Sequence, residues 1–96
     1  MPFEYNNNKS SANKAKHGID FVKAQAIWDD ESRVEIPAKV VGESRYLVIG
    51  LIDEKHWSAI VTYRDDNIRI ISVRLSRIEE IEIYENLQEE LENLKN

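Results

Sequence analysis

Cysteine is absent from this sequence of 96 residues, and histidine occurs only twice. Without cysteine the chain can form neither disulfides nor thiolate sites, and two histidines are too few for a zinc site of the usual ligand types. We therefore expect any catalysis to be metal-independent, with no cofactor.

Long apolar runs are also missing. No segment approaches the roughly 18 apolar residues of a membrane span, and the N-terminus has no basic region followed by an apolar run. These absences predict a soluble, cytoplasmic protein with no membrane partner. Because so short a chain buries only part of the surface that it exposes when unfolded, we expect residues 1–96 to form one domain with a modest core.

The net charge of −5 is unevenly distributed. From Glu79 to the C-terminus there are seven glutamates and one lysine, whereas the preceding residues hold 12 basic and 11 acidic side chains. The chain is therefore a slightly positive body joined to a strongly negative tail. The overall acidity does not exclude a body that binds nucleic acid.

The hydrophobic pattern predicts an α+β fold. A short first helix over "KSSANKAKHG" follows an asparagine cap at or near Asn8 and ends at Gly18. Asp20 is expected to cap a second helix, "FVKAQAIW", whose apolar residues form one stripe. Beyond Ser76 a helical period returns over about residues 77–95, and Ser76 with Glu79 has the spacing of a capping box.

Between these helices the period of the pattern is two, which is typical of strands. Short turns join the last three segments, so we expect a four-stranded antiparallel sheet that ends in a meander. The four predicted strands are "RVEIP", "RYLVIGLI", "HWSAIVTYR" and "IRIISVRLS".

Four stretches, in order along the chain, resemble the BrnT family of toxins from bacterial type II toxin–antitoxin pairs. They are "FEYNNNKSSANKAKHGIDFVKAQAIWDD", "GESRYLVIG", "TYRDDNIRIISVR" and "EEIEIYE". The resemblance implies a RelE-like fold and an endoribonuclease that arrests translation. It also implies a BrnA-like ribbon-helix-helix antitoxin, which neutralises the toxin and binds operator DNA with it, so that the toxin reaches DNA only through the antitoxin and the pair represses its own operon.

Metal-independent cleavage of RNA must remove a proton from the 2′-hydroxyl, protonate the 5′-oxygen and stabilise charge on the phosphate. Arginine suits the last task because its guanidinium grips two phosphate oxygens. We predict Arg74 as the phosphate clamp, Arg64 across the turn as its partner, and Arg69 and Arg77 as further RNA contacts. In a regular strand Arg69 and Arg74 point to opposite faces, unless a bulge redirects one of them. The alternative is ordinary surface ion pairs with Asp65, Asp66, Glu79 and Glu80, worth roughly 0–1 kcal/mol each.

Glu80 is the predicted general base and Tyr84 the predicted proton donor, because residues four apart share one helix face. The alternative places Tyr84 in the core and Glu80 on a solvated face. Lys14, Lys16 and His17 are predicted RNA contacts, or simply the cations that favour a helix C-terminus. The other histidine, His56, is expected on the surface.

An apolar stripe continues to the end of the last helix, and we predict that part of it binds the antitoxin or a second copy in a homodimer. The predicted contact residues are Leu87, Leu91 and Leu94. The alternative is a helix that packs across the sheet. Because this segment is acidic where BrnT proteins are often arginine-rich, a non-catalytic binding module with the same fold is the second functional hypothesis.

Overall fold

A five-stranded sheet with helices against both faces forms the centre of the fold. The structure is a computed structural model that describes residues 2–38 and 42–95. The strands are β1 (Phe3–Glu4), β2 (Val34–Pro37), β3 (Tyr46–Ile52), β4 (Lys55–Arg64) and β5 (Asn67–Leu75), in the spatial order β1-β5-β4-β3-β2. The helices are α1 (Asn7–His17), α2 (Phe21–Ala24), a 3-10 turn (Gln25–Asp29) and α3 (Ile78–Leu94). This confirms the predicted α+β class.

The strand count was wrong by one. The additional strand is β1, which pairs in parallel with β5 so that Phe3 lies opposite Ile68, whereas the other pairs are antiparallel. Two residues are too few to show an alternating pattern, and the sequence therefore gave no signal for this strand.

Local capping signals place the two N-terminal helices. Asn6 caps α1 by accepting from the Lys9 amide at 3.1 Å, and α1 ends at Gly18 with φ 78°. Asp20 caps α2 in the same way at 2.8 Å. The predicted second helix is α-helical for only four residues before it tightens into the 3-10 turn, which packs Ile27 against Gly50 of β3.

The predicted capping box at the start of α3 was wrong. The residue before the helix is Arg77, and its amide donates to the carboxylate of Glu80 at 2.8 Å. The hydroxyl of Ser76 instead lies 2.7 Å from that of Ser58 on β4. A contact with the sheet thus replaced the local cap.

The two faces of the sheet have separate cores. We name each face after the part of the chain that covers it. The N-terminal face, which carries Ala59 and Val73, is covered by α2 and the 3-10 turn. The C-terminal face, which carries Ser58 and Arg74, is crossed by α3, where Tyr84 packs against Ile49. Within the described ranges, no helix has both the length and the apolar character needed to cross a bilayer.

A bulge in β5 decides which residues share a face. Ile60 lies opposite Ser72 and Val61 opposite Ile70, so Ile71 has no opposite residue on β4. The extra residue reverses the alternation along β5. As a result Arg69 and Arg74, which a regular strand would separate, both lie on the C-terminal face.

Candidate active site

The centre of the site is an ion pair between Arg74, near the end of β5, and Glu80, in the first turn of α3. Arg74 donates from Nη1 and Nη2 to the two carboxylate oxygens at 2.7 and 2.9 Å. Glu80 is only 8% exposed and also accepts from the Arg77 amide at 2.8 Å and the Ser58 hydroxyl at 3.0 Å. The guanidinium is therefore presented in the two-pronged geometry that binds a carboxylate or a phosphate.

The charge on Glu80 is strongly stabilised. Hydrogen bonds from Arg74 lower the pKa of Glu80 to about 2; burial opposes this, and the Arg77 amide and the Ser58 hydroxyl reinforce it. Glu80 is thus ionised at neutral pH. In this arrangement it is also a weak base, because its lone pairs are already occupied.

His56, at the start of β4, lies next to this pair. Its side chain is on the same face as Ser58, two residues away, which corresponds to about 7 Å along a strand. The Nε2 atom is 2.7 Å from the carboxylate of Glu85, and the side chain is 17% exposed. The expectation of a plain surface histidine missed this contact, because Glu85 is 29 residues away in sequence.

Tyr84 lies between the core and the Arg74–Glu80 ion pair, which we call the active-site pair. It is 3% exposed, its hydroxyl donates to Asp30 at 2.7 Å, and its ring meets that of His56 edge-on at a centroid distance of 5.0 Å. Burial raises the pKa of Tyr84, and the hydrogen bond to Asp30 raises it further. The hydroxyl proton is thus already engaged, as the core alternative for Tyr84 anticipated.

Arg64 and Arg74 do not meet. Arg64 lies opposite Asn67 beside the turn, whereas Arg74 lies opposite Ser58. At about 3.3 Å per residue the two arginines are roughly 20 Å apart along the sheet. One phosphate cannot contact both.

Three arginines instead form a line along the C-terminal face, which we call the arginine row: Arg64, Arg69 and Arg74. Arg69, opposite Thr62, lies between the other two. Each member is paired with a carboxylate from a different element. Arg64 binds Glu43 at 2.6 and 3.0 Å, and Arg69 lies 3.7 Å from Glu4. Of the four acids considered as ion-pair partners from the sequence, only Glu80 pairs with a member of the row, as judged from the described residues.

The remaining predicted RNA contacts lie in two places. Arg77 is exposed beside the Arg74–Glu80 pair. Lys14 and Lys16 are exposed and His17 is half-buried, all in the last turn of α1. In the described part of the chain, none of these three bonds to the active-site pair.

Asn13 is a structural residue that sequence reasoning missed. Its side chain accepts from the Val73 amide at 3.1 Å and donates to the Val73 and Ile19 carbonyls at 2.9 and 2.8 Å. It therefore satisfies the outer edge of β5 directly before Arg74. An asparagine inside a helix, where its propensity is low, was the available signal.

Comparison with known protein families gives a match over most of the chain. The model of one family, described as "Ribonuclease toxin, BrnT, of type II toxin-antitoxin system", matches residues 5–80. The matched segment contains the whole arginine row and ends at Glu80. No match was found among curated proteins. Over residues 2–38 and 42–95, no three histidine or acidic side chains are grouped so that they could hold a metal ion.

Proposed function

Because this chain belongs to the BrnT family of ribonuclease toxins, we propose that it cleaves RNA within the strand by a metal-independent mechanism centred on Arg74 and Glu80. The observation that carries this proposal is the two-pronged contact between these side chains. Glu80 holds the guanidinium of Arg74 in position at the end of β5, where α3 begins.

In the first step an RNA phosphate replaces the Glu80 carboxylate on Arg74. Both are anions with oxygens that match the guanidinium fork. Arg74 then stabilises the charge that develops on the phosphate during attack by the 2′-hydroxyl.

The exchange also activates Glu80. Arg74 is the main cause of its low pKa, so moving those hydrogen bonds to the phosphate makes the carboxylate more basic. Glu80 can then accept the proton of the 2′-hydroxyl. It stays beside the phosphate because the Arg77 amide and Ser58 still hold it.

We assign protonation of the 5′-oxygen to His56 in its imidazolium form, in which both ring nitrogens carry a proton. Glu85 orients the ring through Nε2–H, and Nδ1–H, which has no hydrogen-bond partner within the described ranges, gives its proton to the 5′-oxygen and leaves a neutral ring. Tyr84, the proton donor expected from sequence, then serves as a positioning residue, since it contacts the His56 ring and its hydroxyl donates a hydrogen bond to Asp30.

The rest of the arginine row guides the RNA strand. Arg69 and Arg64 contact phosphates further along the C-terminal face, and Arg77 contacts one beside the active-site pair. Lys14, Lys16 and His17 supply further contacts from α1. This arrangement fits a single strand because its phosphates are accessible along an open surface.

Type II toxins act with an antitoxin. We propose a BrnA-like ribbon-helix-helix partner that neutralises this chain in the cytoplasm, brings it to operator DNA and represses the operon with it. Released toxin then arrests translation by cutting RNA.

One observation favours a second candidate, a non-catalytic module that acts only through its partner. Every member of the arginine row is already paired with a carboxylate: Glu43, Glu4 or Glu80. If RNA cannot displace these acids, the fold retains its protein contacts without catalysis.

Growth arrest on induced expression in a bacterium distinguishes the two candidates. We expect wild type to stop growth and fragment total RNA, and Arg74→Ala and Glu80→Ala to do neither while remaining folded by circular dichroism. Lys23→Ala, which removes an exposed cation paired with Asp53 away from the site, is the control and should behave as wild type. Soluble, folded wild type without arrest would support the non-catalytic module.

A further inference from the structure

The last part of α3 extends past the body of the protein. Its final hydrogen bond to the body comes from Gln88, which donates to the Ser32 carbonyl at 2.8 Å; in the described part of the chain no later α3 side chain makes one. The helix of 17 residues is about 25 Å long. The principal dimensions of 46, 27 and 23 Å are consistent with a projecting end. Since the family match ends at Glu80, this projection lies beyond the segment that the family shares.

The second half of α3 carries an uncovered apolar stripe, made up of Ile83, Leu87, Leu91 and Leu94, and the last two of these lie on the projecting end. These residues follow steps of four, four and three, so they share one side of the helix. They are 43%, 36%, 46% and 80% exposed, respectively. Tyr84, on the same helix, is not part of the stripe, because it faces the body and is buried.

The direction of the stripe follows from helical geometry. Glu80, Tyr84 and Gln88 contact the body, and Glu85 contacts His56 at the start of β4. At about 100° per residue, the stripe is rotated roughly 65° from the body-facing line, on the side away from Glu85. For Ile83 and Leu87, the stripe residues beside the body, that side is towards the later part of β4, where Ile60 is half-buried on the same sheet face as Arg69. A helix docked on the stripe would therefore lie between α3 and the arginine row.

Charge selects the occupant. Six exposed glutamates lie on α3, and Ile78–Leu94 contains no lysine or arginine; the six are Glu79, Glu82, Glu85, Glu89, Glu90 and Glu92. In a dimer, the glutamates of α3 would face the same glutamates of the second copy, and their repulsion would disfavour pairing. A basic helix would instead neutralise them.

We infer that the apolar stripe binds an amphipathic helix with lysine or arginine flanks, supplied by the antitoxin. Only the statement that the antitoxin supplies this helix rests on the proposed function. Its amphipathic and basic character is inferred from the stripe and the glutamates of α3. Docking there also explains neutralisation, because the bound helix would obstruct RNA from reaching the arginine row.

Two synthetic helical peptides with one leucine seam test the chemistry, one flanked by lysine and one by glutamate. We expect full-length protein to bind the lysine peptide, measured by fluorescence anisotropy, at least about tenfold more tightly than the glutamate peptide. The double variant Leu87→Ser/Leu91→Ser should weaken binding of the lysine peptide by about tenfold or more. The control is Ile78→Ser, since Ile78 is 74% exposed on the same helix but lies off the stripe, and it should bind as wild type.

Three results would overturn the inference. One is that the protein binds the two peptides equally tightly, or binds neither of them. Another is wild-type dimerisation in sedimentation experiments that Leu87→Ser/Leu91→Ser abolishes, because it would assign the stripe to a second copy. The third is full retention of the co-expressed antitoxin by that double variant. RNA cleavage is measured separately on the same variant without antitoxin and should equal wild type, so a failure of the proposed ribonuclease mechanism is distinguishable from a failure of docking.

Discussion

Four hydrogen bonds surround the carboxylate of Glu80, two from Arg74 and one each from Arg77 and Ser58. Their donors come from β5, β4 and the residue before α3, so the low pKa of Glu80 exists only in the folded chain. A charge held in this way links stability to pH.

The first prediction concerns the pH dependence of unfolding. The ordinary pKa of the carboxyl is 4.5 and its folded pKa is about 2, so its contribution is complete above about pH 4.5 and disappears as the pH falls towards 2. Urea unfolding of wild type and Glu80→Gln should therefore give a stability difference that shrinks over this range. Glu43, with a pKa also lowered to about 2, is present in both proteins and cancels. A difference that is constant from pH 7 to pH 3 would contradict the assignment.

The second prediction concerns Asn13. Asn13→Ala leaves the Val73 amide and two carbonyls without their partner, so we expect the free energy of unfolding to fall by roughly 1–3 kcal/mol. Asn8→Ala, the same change at an exposed position of α1, should alter it by less than about 0.5 kcal/mol. If chemical denaturation gave the same loss of unfolding free energy for both variants, the role of Asn13 in bonding the outer edge of β5 would be refuted.

Individual site residues were predictable to different degrees. Arg74 and Glu80 stood out in sequence because they lie where a strand passes into a helix, six residues apart. The contacts of Tyr84 with Asp30 and of Arg64 with Glu43 span 54 and 21 residues. Such contacts depend on tertiary packing, for which a local pattern contains no signal.

At the scale of elements, capping and alternation predicted the helices and the longer strands. The bulge at Ile71 had no sequence signature, yet it places Arg69 on the same face as Arg74. The capping box at Ser76 failed because Ser58 offered its hydroxyl a partner on the sheet. Tertiary contacts therefore overrode the local rules at the site itself.

The third prediction concerns the two halves of α3. Ending the chain after Gln88 removes residues with few contacts to the body, and should change the free energy of unfolding by less than about 0.5 kcal/mol. Tyr84→Ala removes a buried aromatic side chain, and should lower it by roughly 3–5 kcal/mol. Urea denaturation of the two variants and wild type measures both changes. A large loss from the truncation would show that the projecting end packs on the body.

For the whole molecule, the separation of charge is the main feature. The acidic end of α3 makes the chain acidic overall, while the sheet presents three arginines along one face. Net charge is therefore a poor guide to the partners of this fold, because the acidic end of α3 and the arginine row lie on different parts of one small domain.

The fourth prediction concerns salt. If the arginine row neutralises three phosphates, the logarithm of the RNA-binding constant should fall with the logarithm of salt concentration with a slope of about −2, at about −0.7 per phosphate of a single strand. Arg69→Ala should make the slope less steep by about 0.7. Anisotropy titrations with a 2′-O-methyl RNA, which lacks the attacking hydroxyl, measure both slopes. A slope near zero would exclude the row as the RNA-binding surface.

The most direct test of the account is cleavage by purified protein in excess chelator, with matched RNA and 2′-deoxy substrates. We predict that wild type cuts the RNA and leaves 2′,3′-cyclic phosphate ends, that the 2′-deoxy strand stays intact, and that folded Arg74→Lys loses most of the activity because one ammonium cannot replace the two-pronged contact. Cleavage that requires an added divalent metal, or that persists undiminished in Arg74→Lys, would contradict the mechanism proposed for this site.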